Sequence, residues 1–172
     1  NGSIGGTTAL AILTINSPLT LNTTAVTTTG NQTYSALNIG ASNTTLTTTG
    51  TGASHDVTFN GAVSWSGSNT LSIVSGNNIY INADITATNG TLSLSAVNGS
   101  QSLTTGTITS TTSPSTGVAG NISVANFLLV KGQFFQNKAS LPTFTVTNQF
   151  AISTSPATFN GLSGQFTRLA GT

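Results

Sequence analysis

The chain has 172 residues, of which only 3% carry charged side chains, and its formal net charge is +1. Such a chain has no basic stripe that could neutralise the phosphates of nucleic acid or an anionic membrane surface. It contains no Cys, which excludes disulfide frameworks, thiolate metal sites and cysteine nucleophiles. We therefore expect no nucleic-acid partner, and no apolar run reaches the roughly 18 residues of a membrane-spanning helix.

The composition favours strands and turns over helices. Hydrophobic residues make up 36% of the chain and are spread along its length, while Met and Glu are absent. The abundant Thr, Val and Ile residues fit a pleated strand, and Asn and Gly adopt the backbone angles of tight turns. No segment combines the apolar periodicity of a helix with helix caps. The sequence therefore predicts an all-β protein.

Short segments that alternate apolar and polar residues recur along the chain. In chain order they are 37–39, 57–63, 71–73, 79–85, 92–94, 122–128 and 144–150. Segment 57–63 aligns with 79–85, which places Asn60 opposite Asn82. Segment 122–128 aligns with 144–150 at the same offset. These offsets predict a period of roughly 21–22 residues with small insertions.

Weaker alignments extend this period along the chain. They are Leu71 with Leu92, Phe135 two periods beyond Leu92, Leu37 one period before Val57, and Leu103 and Ile108 between the two aligned pairs of segments. Each period therefore holds two or three short strands separated by Gly, Asn or Ser turns.

A repeat of this length indicates stacked coils. One unit cannot bury its apolar row alone, but stacking units about 4.8 Å apart aligns like residues and closes a continuous core. Stacking also accounts for the missing charges, because a column of like charges repels itself whereas Thr, Ser and Asn columns hydrogen-bond. We therefore predict a parallel β-solenoid of roughly eight coils. A β-sandwich is the structural alternative, but it does not require Asn residues in phase.

We expect residues 1–172 to form a single solenoid that is a fragment of a longer protein, because the chain starts in mid-pattern without Met. Residues 110–117 contain no apolar side chain and predict a loop protruding from one coil. The higher Phe content that follows marks a candidate subdomain change near residues 110–120.

Several stretches resemble the repeats of filamentous-haemagglutinin-like secreted exoproteins, a group that includes adhesins. These stretches are 26–34, 45–49, 57–61 and 77–85. The later segment, from Phe127 through 132–134 and 141–144 to 166–168, is similar to the region that closes repeat blocks in large proteins of this group.

The resemblance implies a right-handed parallel β-helix that is extracellular or displayed on the cell surface. It also implies export through an outer-membrane partner barrel, as in two-partner secretion, or as an autotransporter-type passenger. The partner of such a protein is a receptor or glycan on a host or bacterial surface, to which it attaches.

Few residues are suited to catalysis. His55 and Asp56 are adjacent, but they follow the turn at 50–54, which favours a solvated loop over a catalytic triad with a Ser. Asp84 is predicted to cap a turn. Two Asp and no Glu do not easily supply the paired carboxylates, or the Asp cluster with calcium, of a glycan-cleaving enzyme. We therefore expect no enzyme, no cofactor and no bound metal.

Two sets of surface residues are candidates for binding or modification. Lys131 and Lys138 flank Phe134 and Phe135, which predicts a basic and aromatic ligand-contact patch, with packing at the end of a repeat block as the alternative. Asn-x-Ser/Thr sequences mark candidate glycosylation sites at Asn22, Asn31, Asn43, Asn89, Asn98 and Asn121.

Three functions remain open on the sequence. The first is a structural and binding segment of a secreted adhesin that mediates attachment to cells or surfaces. The alternative is a self-assembling subunit of an extracellular filament, in which uncapped solenoid ends stack end to end. A polysaccharide-active enzyme is the third, and it would require Asp56 or Asp84 as a catalytic carboxylate.

Overall fold

The computed structural model describes residues 2–40, 42–97, 115–118, 120–136, 143–152, 157–160 and 166–169. Within these ranges every regular element is a β-strand, and all paired strands run parallel. The strands are β1 (Ser3–Ile4), β2 (Leu13–Ile15), β3 (Leu19–Leu21), β4 (Ala25–Thr28), β5 (Gln32–Tyr34), β6 (Leu37–Ile39), β7 (Thr44–Thr48), β8 (Val57–Phe59), β9 (Val63–Ser64), β10 (Thr70–Ser75), β11 (Ile79–Ile81), β12 (Ile85–Ala96), β13 (Ser115–Val118), β14 (Ile122–Gln136), β15 (Phe144–Ile152), β16 (Ala157–Asn160) and β17 (Phe166–Leu169).

Each coil passes through three faces, and like strands of successive coils pair to form one sheet per face. The first face contains β1, β4, β7 and β10, then the later part of β12, the middle of β14 and the later part of β15. The second face contains β2, β5, β8, β11, β13, the end of β14 and β16. The third face contains β3, β6, β9, the starts of β12, β14 and β15, and β17.

The predicted parallel β-solenoid is therefore confirmed. Seven strand segments stack on each face, so the described strands form seven coils where roughly eight were predicted. Stacking at the predicted offsets is also confirmed in part, since Val57 pairs with Ile79 and Leu71 pairs with Leu92.

The alignment of Leu37 with Val57 is wrong. Leu37 pairs with Val63 on the third face, while Val57 pairs with Gln32 on the second face. The coil between Gln32 and Val57 is therefore longer than the predicted period. The error arises because the apolar pattern treats each polar residue as outward, whereas Gln32 is fully buried and begins its own strand.

The alignment of Phe135 with Leu92 is also wrong. Leu92 pairs with Phe127, whereas Phe135 pairs with Gly117 on the second face. A long insertion between β12 and β13 accounts for the large offset from Leu92 to Phe127, since it delays the return of the chain to the first face.

The register also slips by one position within the last aligned pair of segments. The first three positions of β14 and β15 pair at the predicted offset. Beyond Val124 the register shifts, so that Phe127, and not Leu128, pairs with Phe150. A bend between the third and first faces absorbs the extra position in β15.

The predicted loop at 110–117 is wrong for its last residues. Ser115–Val118 form β13, which pairs with β11 on one side and with β14 on the other. Alternation could not predict this strand because Val118 is its only apolar residue. Residues 110–114, like Leu103 and Ile108, lie outside the described residues.

The core lies between the three faces and is built from columns of apolar side chains. On the first face the fully buried residues Val26, Leu46, Ile73, Leu94 and Leu129 stack in register. Complete burial of one such side chain contributes roughly 1.5–3 kcal/mol. Each coil thus covers the apolar row of the coil before it.

Aromatic rings fill the core of the later coils. The ring of Phe127 lies 5.2 Å from that of Phe134, 5.0 Å from that of Phe144 and 5.6 Å from that of Phe150, measured between centroids. These edge-on and offset contacts add stability beyond the buried area alone. The predicted increase in core bulk in the last third of the chain is confirmed at these positions.

One polar pair is buried inside the core. The Tyr34 hydroxyl donates to Gln32 Oε1 at 2.8 Å, and Gln32 Nε2 donates to the Thr47 carbonyl oxygen at 2.8 Å. The Tyr34 ring also stacks on Phe59, with centroids 5.5 Å apart. Burial raises the pKa of Tyr34 far above its ordinary value, so the hydroxyl stays neutral and remains a donor.

Candidate functional site

The residue immediately before each strand lies at a corner of its coil, and we term it a corner residue. Before the second face the corner residues include Asn31, Asp56 and Asn78. Asn31 Oδ1 accepts the backbone N–H of Asp56 at 2.8 Å, and Asp56 Oδ1 accepts that of Asn78 at 3.0 Å. A side-chain oxygen in one coil therefore pairs with a backbone donor of the next coil.

The corner before the third face uses the same arrangement in the later coils. Asp84 Oδ1 accepts the N–H of Asn121 at 2.8 Å, and Asn121 Oδ1 accepts the N–H of Thr143 at 2.9 Å. The predicted turn-capping role of Asp84 is therefore confirmed. Its carboxylate caps a donor of the following coil.

Neutral amide pairs also link successive coils. Asn82 Nδ2 donates to Asn60 Oδ1 at 3.0 Å, as the in-phase Asn positions predict. Asn148 Nδ2 donates to Asn126 Oδ1 at 2.7 Å. Because an amide is both donor and acceptor, such a column can continue without charge.

Two glycines, each one position before a corner residue of the third face, allow successive coils to approach closely. A Cβ atom at Gly61 would lie 2.6 Å from the backbone nitrogen of Ala36, and one at Gly120 would lie 2.2 Å from the carbonyl carbon of Ala83. Neither position can hold a larger residue without moving backbone, so the coil spacing here depends on glycine.

A groove follows the third face through the first three coils. The corner residues there are Pro18, Ala36 and Ala62, which have small apolar side chains. Two positions further on, the exposed residues Thr20, Asn38 and Ser64 form a second column. Together the two columns line a depression of about 250 Å³, which we term the third-face groove.

The third-face groove is uncharged. Its two columns contain only Pro, Ala, Thr, Asn and Ser, and Leu19 and Leu37 complete the lining. The next corner residue along the axis is Asp84, whose exposed side chain marks the end of the uncharged stretch. The groove therefore presents hydroxyl and amide groups beside a strip of apolar surface.

His55 and Asp56 do not form a simple solvated loop. Thr51 to Ser54 are exposed, but Asp56 is half-buried and accepts from two donors of the next coil, Asn77 Nδ2 at 2.6 Å and the Asn78 N–H. His55 Nδ1 lies 3.0 Å from the carbonyl oxygen of Gly52. Burial raises the pKa of Asp56 above its ordinary value, although hydrogen bonds from Asn78 and Asn77 and the nearby His55 oppose this.

The predicted ligand-contact patch includes one core residue and residues of two different faces. Phe134 is fully buried in the aromatic core, so it packs as a core residue and cannot contact a ligand from solvent. Lys131 is half-buried on the first face, in register with Ser95. Phe135 lies in the second-face part of β14, and Lys138 lies outside the described residues. The alternative of packing at the end of a repeat block fits Phe134.

Most of the described candidate glycosylation residues are already hydrogen-bonded. The oxygens of Asn31, Asn43 and Asn121 accept backbone N–H groups one coil on, and Asn89 Nδ2 donates to the Ser66 carbonyl oxygen at 3.2 Å. Asn22 is exposed, and Asn98 lies outside the described residues. Glycosylation at these positions stays a prediction.

Sequence reasoning missed the third-face groove. Its signal is a small residue followed two positions later by an uncharged polar residue, at Pro18 and Thr20, at Ala36 and Asn38, and at Ala62 and Ser64. The step from the first pair to the second is much shorter than the step from the second to the third, so no fixed period aligns them.

Comparison of the chain with protein-family models, with curated proteins and with solved structures gives no match. In the part of the chain that the structure describes, no helix is long and apolar enough to cross a membrane. The same residues include no group of three His, Cys, Asp or Glu side chains that could hold a metal ion.

The corner carboxylate of Asp56 gives a testable pH dependence. Because its folded-state pKa is raised, the stability that Asp56 contributes is complete below its ordinary pKa and is lost as pH rises through the folded-state value. Asp56→Asn keeps the acceptor oxygen and removes the charge. Urea unfolding should show Asp56→Asn gaining stability relative to the unmodified chain as pH rises from about 3 to 7.

Asp56→Ala is the control, since it removes the acceptor for two donors and should lower the free energy of unfolding by about 1–3 kcal/mol at both pH values. Equal pH dependence of the Asp56→Asn variant and the unmodified chain would contradict this account of Asp56.

Proposed function

We propose that the chain is a structural and binding segment of a secreted or surface-displayed bacterial adhesin. The single observation that carries the proposal is the repetition of exposed, uncharged polar side chains once per coil. On the third face these are Thr20, Asn38, Ser64 and Thr86, in register with one another. Such a column offers a regular set of hydrogen-bonding groups to a surface.

Repetition supports attachment because individually weak contacts add when they are made together. A neutral hydrogen bond contributes only about 0.5–1.5 kcal/mol, but a rigid stack fixes the spacing of many such groups. Contacts that are held on one body then act at a high effective concentration. Attachment through these columns requires no catalytic group.

The proposal assigns no catalysis to the chain. Asp56 and Asp84 are its only carboxylate side chains, and each accepts a backbone N–H of the following coil. Both carboxylates are therefore engaged in holding coils together. Export through an outer-membrane partner or as an autotransporter-type passenger belongs to the same proposal, and the absence of Cys suits a chain that crosses membranes unfolded.

Attachment can be measured with beads that carry the purified chain. We expect these beads to bind epithelial or bacterial cells several-fold more than beads carrying a chain of the same composition in scrambled order, as counted by flow cytometry. Soluble folded chain should compete, because it presents the same columns. Binding no greater than that of scrambled-chain beads on either cell type would refute the adhesin function.

A second candidate function is assembly of the chain into a filament, and it is favoured by the first described coil. The strands β1, β2 and β3 pair with the second coil alone among the described strands. The large apolar side chains of Ile4, Leu10 and Ile12 in this coil are exposed, and Ile12 is the most exposed at 64%. A second copy stacked on this coil would cover these side chains.

Sedimentation velocity at rising protein concentration tests this second function. Assembly should produce species of increasing size, and Ile12→Asn should reduce their amount because it removes apolar surface at the edge. Thr14→Asn is the matched control, since Thr14 is exposed in the same coil. A chain that stays monomeric at every concentration rules out the filament.

A further inference from the structure

The backbone donors at the corner before the third face fall into two classes. In the later coils the N–H groups of Asn121 and Thr143 are capped by the side-chain oxygens of Asp84 and Asn121. Strand register places Ala36, Ala62 and Asp84 at the same position in the second, third and fourth coils. Their N–H groups are therefore the structural counterparts of those at Asn121 and Thr143.

These three counterparts have no cap. Within the described chain, the N–H groups of Ala36, Ala62 and Asp84 make no hydrogen bond. The cause lies one coil earlier, where the corner residues are Pro18, Ala36 and Ala62, which have no side-chain oxygen. These three residues line the third-face groove.

Ala36 and Ala62 line the groove and Asp84 follows at its end, so their N–H groups form a row of backbone donors spaced one coil apart, at about 4.8 Å. Beside this row, the side chains of Thr20, Asn38 and Ser64 also make no hydrogen bond among the described residues. The apolar side chains of Pro18, Ala36 and Ala62 line the same groove. A ligand that fits would offer oxygen acceptors once per coil, further hydroxyl groups at its edge and an apolar C–H surface.

A linear polysaccharide has these three properties. Each pyranose unit carries oxygens along both of its edges around an apolar C–H face, so every unit presents an acceptor to one side even where successive units are flipped, and the length of one unit is close to one coil spacing. An extended peptide fits less well, because its carbonyl oxygens on one side repeat at roughly 6.6–6.8 Å and drift by about 2 Å per coil.

The charge of the groove restricts the polysaccharide further. The lining contains no Lys or Arg to pair with a carboxylate or sulfate group, and the exposed Asp84 follows at its end. An anionic polymer would lose hydration without gaining a counter-charge, which is unfavourable. An uncharged polymer has no such cost.

We propose that the third-face groove binds a linear, uncharged polysaccharide lying along the solenoid axis. The N–H groups of Ala36, Ala62 and Asp84 donate to oxygens of successive sugar units, and Thr20, Asn38 and Ser64 bond their outer hydroxyls. The inference rests on the proposed attachment function and gives it a ligand class and a site.

The later coils of the same chain suggest the test variant. In Ala36→Asn/Ala62→Asn the new amide oxygens would cap the N–H groups of Ala62 and Asp84, as Asn121 caps Thr143. The variant should keep or raise the urea midpoint of the chain while closing the groove. Thr58→Asn, on the second face, is the matched control for an added Asn. If the double variant does not fold, the single Ala62→Asn change at an exposed corner serves instead.

Calorimetric titration with hexasaccharides of β-1,4-linked glucose, mannose and xylose gives the readout. At least one should bind the unmodified chain and the Thr58→Asn variant equally, and should bind the groove variant at least about tenfold more weakly. A hexagalacturonate and an extended Thr- and Ser-rich peptide are the charged and peptide probes, and neither should bind.

Three outcomes overturn the inference. They are no binding of any neutral hexasaccharide, unchanged affinity in the folded groove variant, and preferential binding of the galacturonate or the peptide. The bead assay separates these from failure of the proposed function. Beads that adhere equally with and without the groove substitutions leave attachment intact and refute the groove, whereas beads that never adhere refute attachment itself.

Discussion

Stacking of like positions about 4.8 Å apart constrains nearly everything else in this chain. Each side chain lies directly above and below its counterparts, as with Val26, Leu46 and Ile73 inside the first face. A charged residue in such a column would repel its neighbours, whereas an amide can pair with the next amide, as Asn60 and Asn82 do. The unusual composition and the fold are thus consequences of one geometry.

The corners are where this geometry needs additional support. Turns leave backbone donors that no strand partner satisfies, and an unpaired donor away from water costs free energy. The chain places Asn or Asp at many of these corners, so that one side chain caps the next coil. Where the corner residues are Pro18, Ala36 and Ala62, the same geometry produces a groove with open donors. The candidate site is therefore the place where corner residues lack the side-chain oxygen that caps the following coil.

The sequence predicts the fold class well because apolar alternation and in-phase Asn residues record the stacking directly. It predicts the register poorly wherever the inward residue is polar or the strand lacks apolar residues. Gln32 is polar but faces the core, so apolar alternation does not mark β5 as a strand. Strand β13 has a single apolar residue, Val118. An aromatic residue such as Phe134 is a plausible ligand contact by type, but its position in the strand makes its side chain face the core. Alternation alone could not show that Phe134 is buried.

The groove was beyond sequence reasoning for a different reason. Its residues are small or uncharged, and none is of a residue type from which a sequence pattern predicts a binding site. They come together only because coils of unequal length align Thr20, Asn38 and Ser64. The signal is a missing Asn or Asp at a corner, and it becomes visible only after the capped corners are known.

Residue-resolved amide hydrogen exchange on the folded chain tests the central claim most directly, namely that corner side chains cap the following coil. The account predicts slow exchange for the amides of Asp56, Asn78 and Asn121, which donate to side-chain oxygens of the preceding coil. It predicts fast exchange for those of Ala36 and Ala62, which have no cap. Protection of Ala36 and Ala62 equal to that of Asn121 would contradict it.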